Sequence, residues 1–204
     1  FVLESKTTNK RLKQIHTNWF DSPVLINVPG FRLGGDALTN NRGIMSKIYF
    51  VCGFIGSGKT TYSKSLAEMH GAFRFSIDEW MIPLYGEHME REVFDSRLAT
   101  LQGLFKDSAM QLFALGIPVI FDFGFWRKSD RDSFTSWASN LGVDSEVHYL
   151  DVPFETCKKR AFSRNSKLNG KSYEMTPEML DLFWSWFEVP TSNENVVWAQ
   201  QQAQ

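Results

Sequence analysis

The stretch "IYFVCGFIGSGKTTYSKSLAE", Ile48 to Glu68, decides the fold. An apolar run rich in aromatic and β-branched residues is followed at once by Gly, Ser and Lys positions that spoil regular structure, and then by helix formers. Gly53 to Thr60 satisfies G-x-x-x-x-G-K-[ST] without a mismatch, with a strand leading in and a helix leading out. Glycines let successive backbone N–H groups turn inward around phosphate oxygens, and the helix N-terminus adds its partial positive charge. Gly53, Gly56, Ser57, Gly58, Lys59, Thr60 and Thr61 are therefore the expected nucleotide cradle. Lys59 would reach the β- and γ-phosphates, and the Thr60 hydroxyl would ligate Mg²⁺. Behind them Tyr62, Leu66 and Met69 fall on one helical face.

Outward from this stretch, short strand-like runs alternate with helical patterns, the signature of βαβ units around a parallel sheet. Strands are expected near Lys47–Cys52, Ala72–Ser76, Pro118–Phe121, Glu146–Leu150 and Val196–Trp198. The longest helix, over Glu87 to Leu115, repeats Phe94, Leu98, Leu101, Phe105 and Leu112 at three- and four-residue steps, with Gly103 as a point of weakness. A further helix is expected from Ser129 to Gly142, and others begin near Pro153 and Pro177, where first-turn prolines are favoured. The polar, basic run "RAFSRNSKLNGKSYEM" between those prolines reads as a mobile connection.

A chain of 204 residues with 43% apolar and 15% aromatic content has the material for one folded domain, and global disorder is excluded. The formal charge of -1 argues against a nucleic-acid partner. Two cysteines, Cys52 and Cys157, are too few for a disulfide framework and lack the paired spacing of a zinc site. No apolar run approaches about 18 residues and no charged-then-apolar leader opens the chain, so a cytoplasmic protein without a membrane span is expected. Residues 1–44 show little periodicity, and organised patterning begins at Met45. The reading is an N-terminal extension over 1–44, with Met45 as the biological start, and a domain over 45–204 carrying a short lid at about 164–175.

Asp78 in "FSIDEW" and Asp122 in "VIFDFGFW" directly follow the second and third expected strands. The carboxyl ends of parallel strands are where ligands sit, so both carboxylates should face the phosphate loop. One can take the proton of an attacking hydroxyl and the other can organise the metal; Asp78 is assigned the first role and Asp122 the second, with Glu79 as a solvated backup. Arg160 and Arg164 stand four residues apart at the end of a helix, placed to fold over the nucleotide, Arg164 at the transferring phosphoryl group. Arg127, Arg131 and Trp126 follow Asp122 and are expected at the acceptor pocket, with Trp80 as a second apolar wall or a core residue.

The motifs "GFIGSGKT", "SIDEW", "VIFDFGFW" and "DVPFETCKKRAFSRN" together resemble the small P-loop kinases typed as AAA-domain ATP-binding proteins, similar to zeta toxins, chloramphenicol phosphotransferase and the kinase domain of phage polynucleotide kinase. The resemblance runs from about Lys47 to Pro190. It implies a three-layer αβα fold with a five-stranded parallel sheet, ATP with Mg²⁺, and transfer of the γ-phosphoryl group to a hydroxyl. By motif position Asp78 is the acceptor-activating aspartate and Arg160 and Arg164 are the lid arginines. Glu79, Trp80 and Met81 stand where the family often carries a second Asp and an Arg, and "EMLDLFWSWFEVP" departs from the polynucleotide kinase pattern; both features argue against a nucleic-acid acceptor, so a small hydroxylated molecule is the expected acceptor, with a nucleotide-binding ATPase or switch, or a polynucleotide 5′-hydroxyl kinase, as the alternatives.

Overall fold

In the computed structural model, residues 47–165 and 173–199 are described. The N-terminal extension expected over 1–44, and residues 166–172 of the expected lid, lie outside the described residues.

β1 (Lys47–Cys52) and α1 (Lys59–His70) occupy the opening stretch. β1 is buried from Ile48 onward, as a central strand covered on both faces must be. It pairs in parallel with β3 (Val119–Gly124) on one side and β4 (Asp144–Tyr149) on the other. β2 (Phe73–Ser76) lies outside β3 and β5 (Val196–Trp198) outside β4, which completes an all-parallel sheet of order β2-β3-β1-β4-β5. The expected five-stranded parallel sheet is the one observed.

This order places the helices. Parallel crossovers are right-handed, so the face a helix covers depends on the direction in which the chain steps along the sheet. From β1 to β2 the chain steps one way, and from β2 to β3, β3 to β4 and β4 to β5 it steps the other. Among the described helices, α1 is the one that packs on one face, where Leu66 meets Tyr49, Val51, Ile120 and Leu150. The opposite face carries α2 (Ile77–Tyr85), α3 (Arg91–Ala114), α4 (Lys128–Asn140), α5 (Phe154–Asn165) and α6 (Pro177–Ser185). There Met81, Leu101, Phe105, Phe134, Ala161 and Leu180 join Phe50, Phe75 and Phe121 in the main core. Phe75 stacks on Phe105 at 4.7 Å, and each fully buried ring contributes about 1.5–3 kcal/mol.

Four local expectations change. The long helix starts at Arg91, and α2 is a separate helix that ends at Gly86, whose φ of +79° only glycine adopts without strain. α3 runs unbroken through Gly103, because tertiary packing of Leu101 and Phe105 outweighs one weak helix former. The segment from Phe154 to Asn165 is helix, which takes in the start of the run expected to be a mobile connection. On α1 the buried positions are Ser63 and Leu66, while Met69 is 73% exposed: α1 covers the sheet with only part of the face that periodicity suggested.

Candidate active site

The phosphate loop leaves the carboxyl end of β1 and closes on the first turn of α1. Gly56 and Gly58 have φ of +80° and +94°. Gly58 is the N-cap and brings no side chain to occupy the first N–H groups of α1, so those donors are left to an anion. A Cβ on Gly56 would lie 2.2 Å from the carbonyl oxygen of Cys157, so α5 rests directly on the loop. Inside the loop Lys59 Nζ donates to the Phe54 carbonyl at 2.8 Å. Phe54 itself is buried among Trp184 (4.9 Å), Trp126 (5.6 Å), Phe154 and Phe187 (both 5.8 Å), an aromatic floor that fixes the loop from below. Thr60 and Thr61 are exposed at the start of α1.

Asp122 belongs to β3 itself rather than to the loop after it, and stands opposite Ser76 of β2. Side chains repeat every second residue along a strand, so Arg74 and Asp122 point to the same face of the sheet, the face covered by α1. One carboxylate oxygen of Asp122, Oδ2, accepts from Ser63 Oγ (2.9 Å), Arg74 Nη2 (2.8 Å) and Arg74 Nε (3.2 Å). The other oxygen makes none of these bonds. Glu79 is not the solvated backup expected: Arg74 pairs with both its oxygens, at 2.9 and 3.3 Å, and Lys64 with one at 3.3 Å. The Arg74 guanidinium holds the Glu79 carboxyl below the usual carboxylate range. Arg74 is thus the anchor of the acidic side of the site, and an arginine in the four-residue strand "FRFS" gives no sequence signal of that role.

Asp78 lies in the first turn of α2. It is exposed, yet loss of bulk water is the leading influence on its carboxyl and raises its pKa; Asp122 raises it further, while Lys59 and Arg164 oppose the rise. A group reachable by water but surrounded by protein lies in a cleft. Lys59 is in the same situation: half-buried, its pKa is lowered by desolvation, with the carboxylates of Asp122 and then Asp78 acting against the fall. Lys59, Asp78, Asp122 and Arg164 therefore share one electrostatic neighbourhood beside the loop. Arg164 arrives there because Cys157, which touches Gly56, is followed on the same face of α5 by Arg160 and Arg164.

Arg160 lines an open pocket of about 550 Å³ with Asp151, Thr156 and Trp198, beside the ends of β4 and β5. The residues after β3 divide. Arg127 is exposed at the N-cap of α4. Trp126 is half-buried in the aromatic floor, and Trp80 is 43% exposed with its edge against Phe105. Arg131, expected at the acceptor pocket, is instead 2% exposed and held by protein: Glu194 takes Nε at 2.6 Å and Nη2 at 3.0 Å, and the carbonyls of Phe125 and Glu188 take Nη1 at 3.0 Å each. That bond to Phe125 O steadies a residue with φ of +46°, a conformation costly for a non-glycine. Arg131 ties the β3–α4 turn to the C-terminal segment, because burial of its guanidinium demands fixed partners.

For a metal, the oxygen donors beside the loop are Thr60 and Asp122, hard ligands of the kind Mg²⁺ takes alongside phosphate oxygens and water. Among the described residues no three His, Cys, Asp or Glu side chains gather to hold an ion by themselves. Cys52 is buried, its thiol pushed up to about 12 by desolvation, and behaves as an apolar core residue.

A family model described as an AAA domain matches residues 48–190. No curated protein matches the sequence. Among solved structures the chain is similar to one from the Pnkp1/Rnl/Hen1 RNA repair complex, at 18% identity and a TM-score of 0.56, covering 72% of this chain and 45% of that one. It is also similar to a gluconokinase from Sinorhizobium meliloti 1021, at 18% identity and a TM-score of 0.50 over 76% of this chain and 81% of that one. A sugar kinase from Janibacter sp. HTCC2649 gives 18% identity and a TM-score of 0.50, with 76% and 84% covered. At these identities the likeness is one of fold, and the chain spans less than half of the repair-complex chain.

Proposed function

The chain belongs to the AAA-domain family and has the fold of the small P-loop kinases, and on that premise we propose that it is an ATP-dependent phosphotransferase which moves the γ-phosphoryl group of ATP to a hydroxyl of a small molecule: a sugar, nucleotide-sugar, nucleoside or antibiotic. What supports this reading is that Lys59 and Arg164 both act electrostatically on the Asp78 carboxyl, in the first turn of α2, beside a loop whose glycines take positive φ. A hydroxyl acceptor needs a base to take its proton, and Asp78 can serve as one.

In the proposed reaction the loop N–H groups and Lys59 bind the β- and γ-phosphates, and Gly53, Gly56, Ser57, Gly58 and Thr61 complete the cradle. Mg²⁺, held by Thr60 and by the second oxygen of Asp122, would neutralise charge on the phosphates when bound. Asp78 accepts the proton as the acceptor oxygen bonds to the γ-phosphorus, the bond from that phosphorus to the bridging oxygen breaks, and ADP leaves. Arg164 stabilises the charge on the transferring group. Arg160, lining the pocket at the ends of β4 and β5, supports nucleotide binding there. Arg127, with Trp80 and Trp126 nearby in sequence to the two aspartates, is the remaining acceptor-side cation; the burial of Arg131 removes it from direct contact.

The fold likeness to a chain of an RNA repair complex supports a second reading, transfer to a polynucleotide 5′-hydroxyl. Net charge of -1 gives it no electrostatic help. Both readings meet one experiment: γ-labelled ATP offered with a metabolite and antibiotic library and with 5′-hydroxyl oligonucleotides, with Lys59→Ala as the blank. Label in a small molecule supports the first reading, label in an oligonucleotide the second, and ATP hydrolysis with no labelled acceptor refutes both.

A further inference from the structure

Tyr173 is absent from every motif that identifies the site, yet its hydroxyl is buried and makes no hydrogen bond. Leaving such a group unpaired costs about 1–3 kcal/mol, which a folded chain tolerates where a ligand supplies the partner. Arg164 Nε, on the same side of the loop, is buried and unpaired as well. Tyr173 is not held loosely. Asn165, the last residue of α5, donates from Nδ2 to the Met175 carbonyl at 2.7 Å and accepts from the Met175 N–H at 3.1 Å, a two-point clamp two residues beyond the tyrosine. The Tyr173 ring stands edge-on to Phe94 of α3 at 6.4 Å. Among charged groups Asp78 acts on the phenol most strongly, and burial together with that carboxylate pushes the phenol up to about 12, so it remains a neutral donor wherever Asp78 can serve as a base.

We infer that the Tyr173 hydroxyl donates a hydrogen bond to a second oxygen of the acceptor while Asp78 takes the proton of the reacting hydroxyl, which makes the acceptor a compound with at least two oxygens. The clamp and the ring contact with Phe94 fix the donor. A molecule with one hydroxyl on an apolar body would leave Tyr173 unpaired and is disfavoured by the site. This inference rests on the phosphotransferase reading and adds a substrate class and an acceptor-binding residue to it.

The test uses the full chain, γ-labelled ATP, and D-gluconate, D-glucose, adenosine and cyclohexanol as probes, with wild type compared to Tyr173→Phe. Wild type is expected to label a polyhydroxy probe and not cyclohexanol. Tyr173→Phe is expected to raise KM for that probe roughly five- to tenfold, the loss of one neutral hydrogen bond, with KM for ATP unchanged and the melting temperature of the free protein equal or higher, since an unpaired buried hydroxyl is removed. Labelling of cyclohexanol at a comparable rate would overturn the inference. So would an unchanged acceptor KM, or an effect confined to ATP. Labelling of none of these four moves the comparison to whichever acceptor the library assay labels, and a single-oxygen acceptor there overturns this inference while leaving the phosphotransferase reading intact.

Discussion

Gly56→Ala and Gly103→Ala are the same chemical change with opposite expected signs. At Gly56 the new Cβ would sit 2.2 Å from Cys157 O, 3.0 Å from its carbonyl carbon and 3.2 Å from its Cα, where ordinary contact begins at 3.4 Å. The obstacle is helix backbone, so α5 must move by about 1 Å rather than a side chain swing away, and overpacking of this kind costs about 1–3 kcal/mol. The φ of +80° adds about 1–2 kcal/mol for a residue with a Cβ. Together these come to about 2–5 kcal/mol, a large part of the 5–15 kcal/mol (roughly) that holds a domain of this size. Gly103 lies inside α3 with no heavy atom within 4 Å of its Cβ position, so alanine there should stabilise by about 0.5–1 kcal/mol. Urea denaturation of the full chain followed by circular dichroism reads both. With a slope of about 1–3 kcal/mol per molar, the midpoint of Gly56→Ala should fall by about 1–2 M and that of Gly103→Ala should rise by a few tenths. A Gly56→Ala midpoint equal to wild type would refute the close approach of α5 to the loop.

The other predictions concern charge. Arg74→Met should cost about 3–5 kcal/mol in the same urea assay, because it strands a buried Asp122 carboxylate, and Arg74→Met with Asp122→Asn should lose less than the sum of the single changes. Asp78→Asn should leave ATP binding intact by calorimetry while transfer falls about 100-fold or more; equal loss of both would remove Asp78 as the base. In wild type the acid limb of kcat/KM should lie above the free-aspartate value of 3.8, since desolvation raises the Asp78 pKa and the base form is lost as pH falls through that raised value. Glu194 is shifted the opposite way, its pKa lowered first by the hydrogen bond from Arg131, so it contributes stability that is fully present above its unfolded pKa near 4.5 and is lost as pH falls through the depressed folded value. Melting temperatures of Glu194→Gln should accordingly depend less on pH below about 4.5 than those of wild type.

β1 and β5 were legible to the residue, and the phosphate loop with them, because a strand entering a Gly-Lys-Thr turn is a local pattern that needs no tertiary context. Asp122 is expected just past β3 and lies within it: "VIFDFG" continues as strand, with the buried carboxylate paired to a cation on the same face of the sheet. That cation, Arg74, comes from a strand 48 residues earlier, and only the β2–β3 register brings the two together. Arg131 shows the same limit from the other direction: an arginine following an active-site loop looks available to a ligand until Glu194 arrives from the far end of the chain. α2 has no plain sequence signature, because Pro83 and Gly86 mask a helix that the burial of Met81 and Ile82 stabilises.

The aromatic floor under the loop has an optical consequence. Trp126 and Trp184 lie within 5.6 Å of Phe54, the residue whose carbonyl receives the Lys59 ammonium. In the proposed reaction Lys59 exchanges that carbonyl for phosphate, and the two indoles sit one contact away from the event. The chain thus carries its own fluorophores at the base of the loop, and a titration with nucleotide can be followed by intrinsic emission.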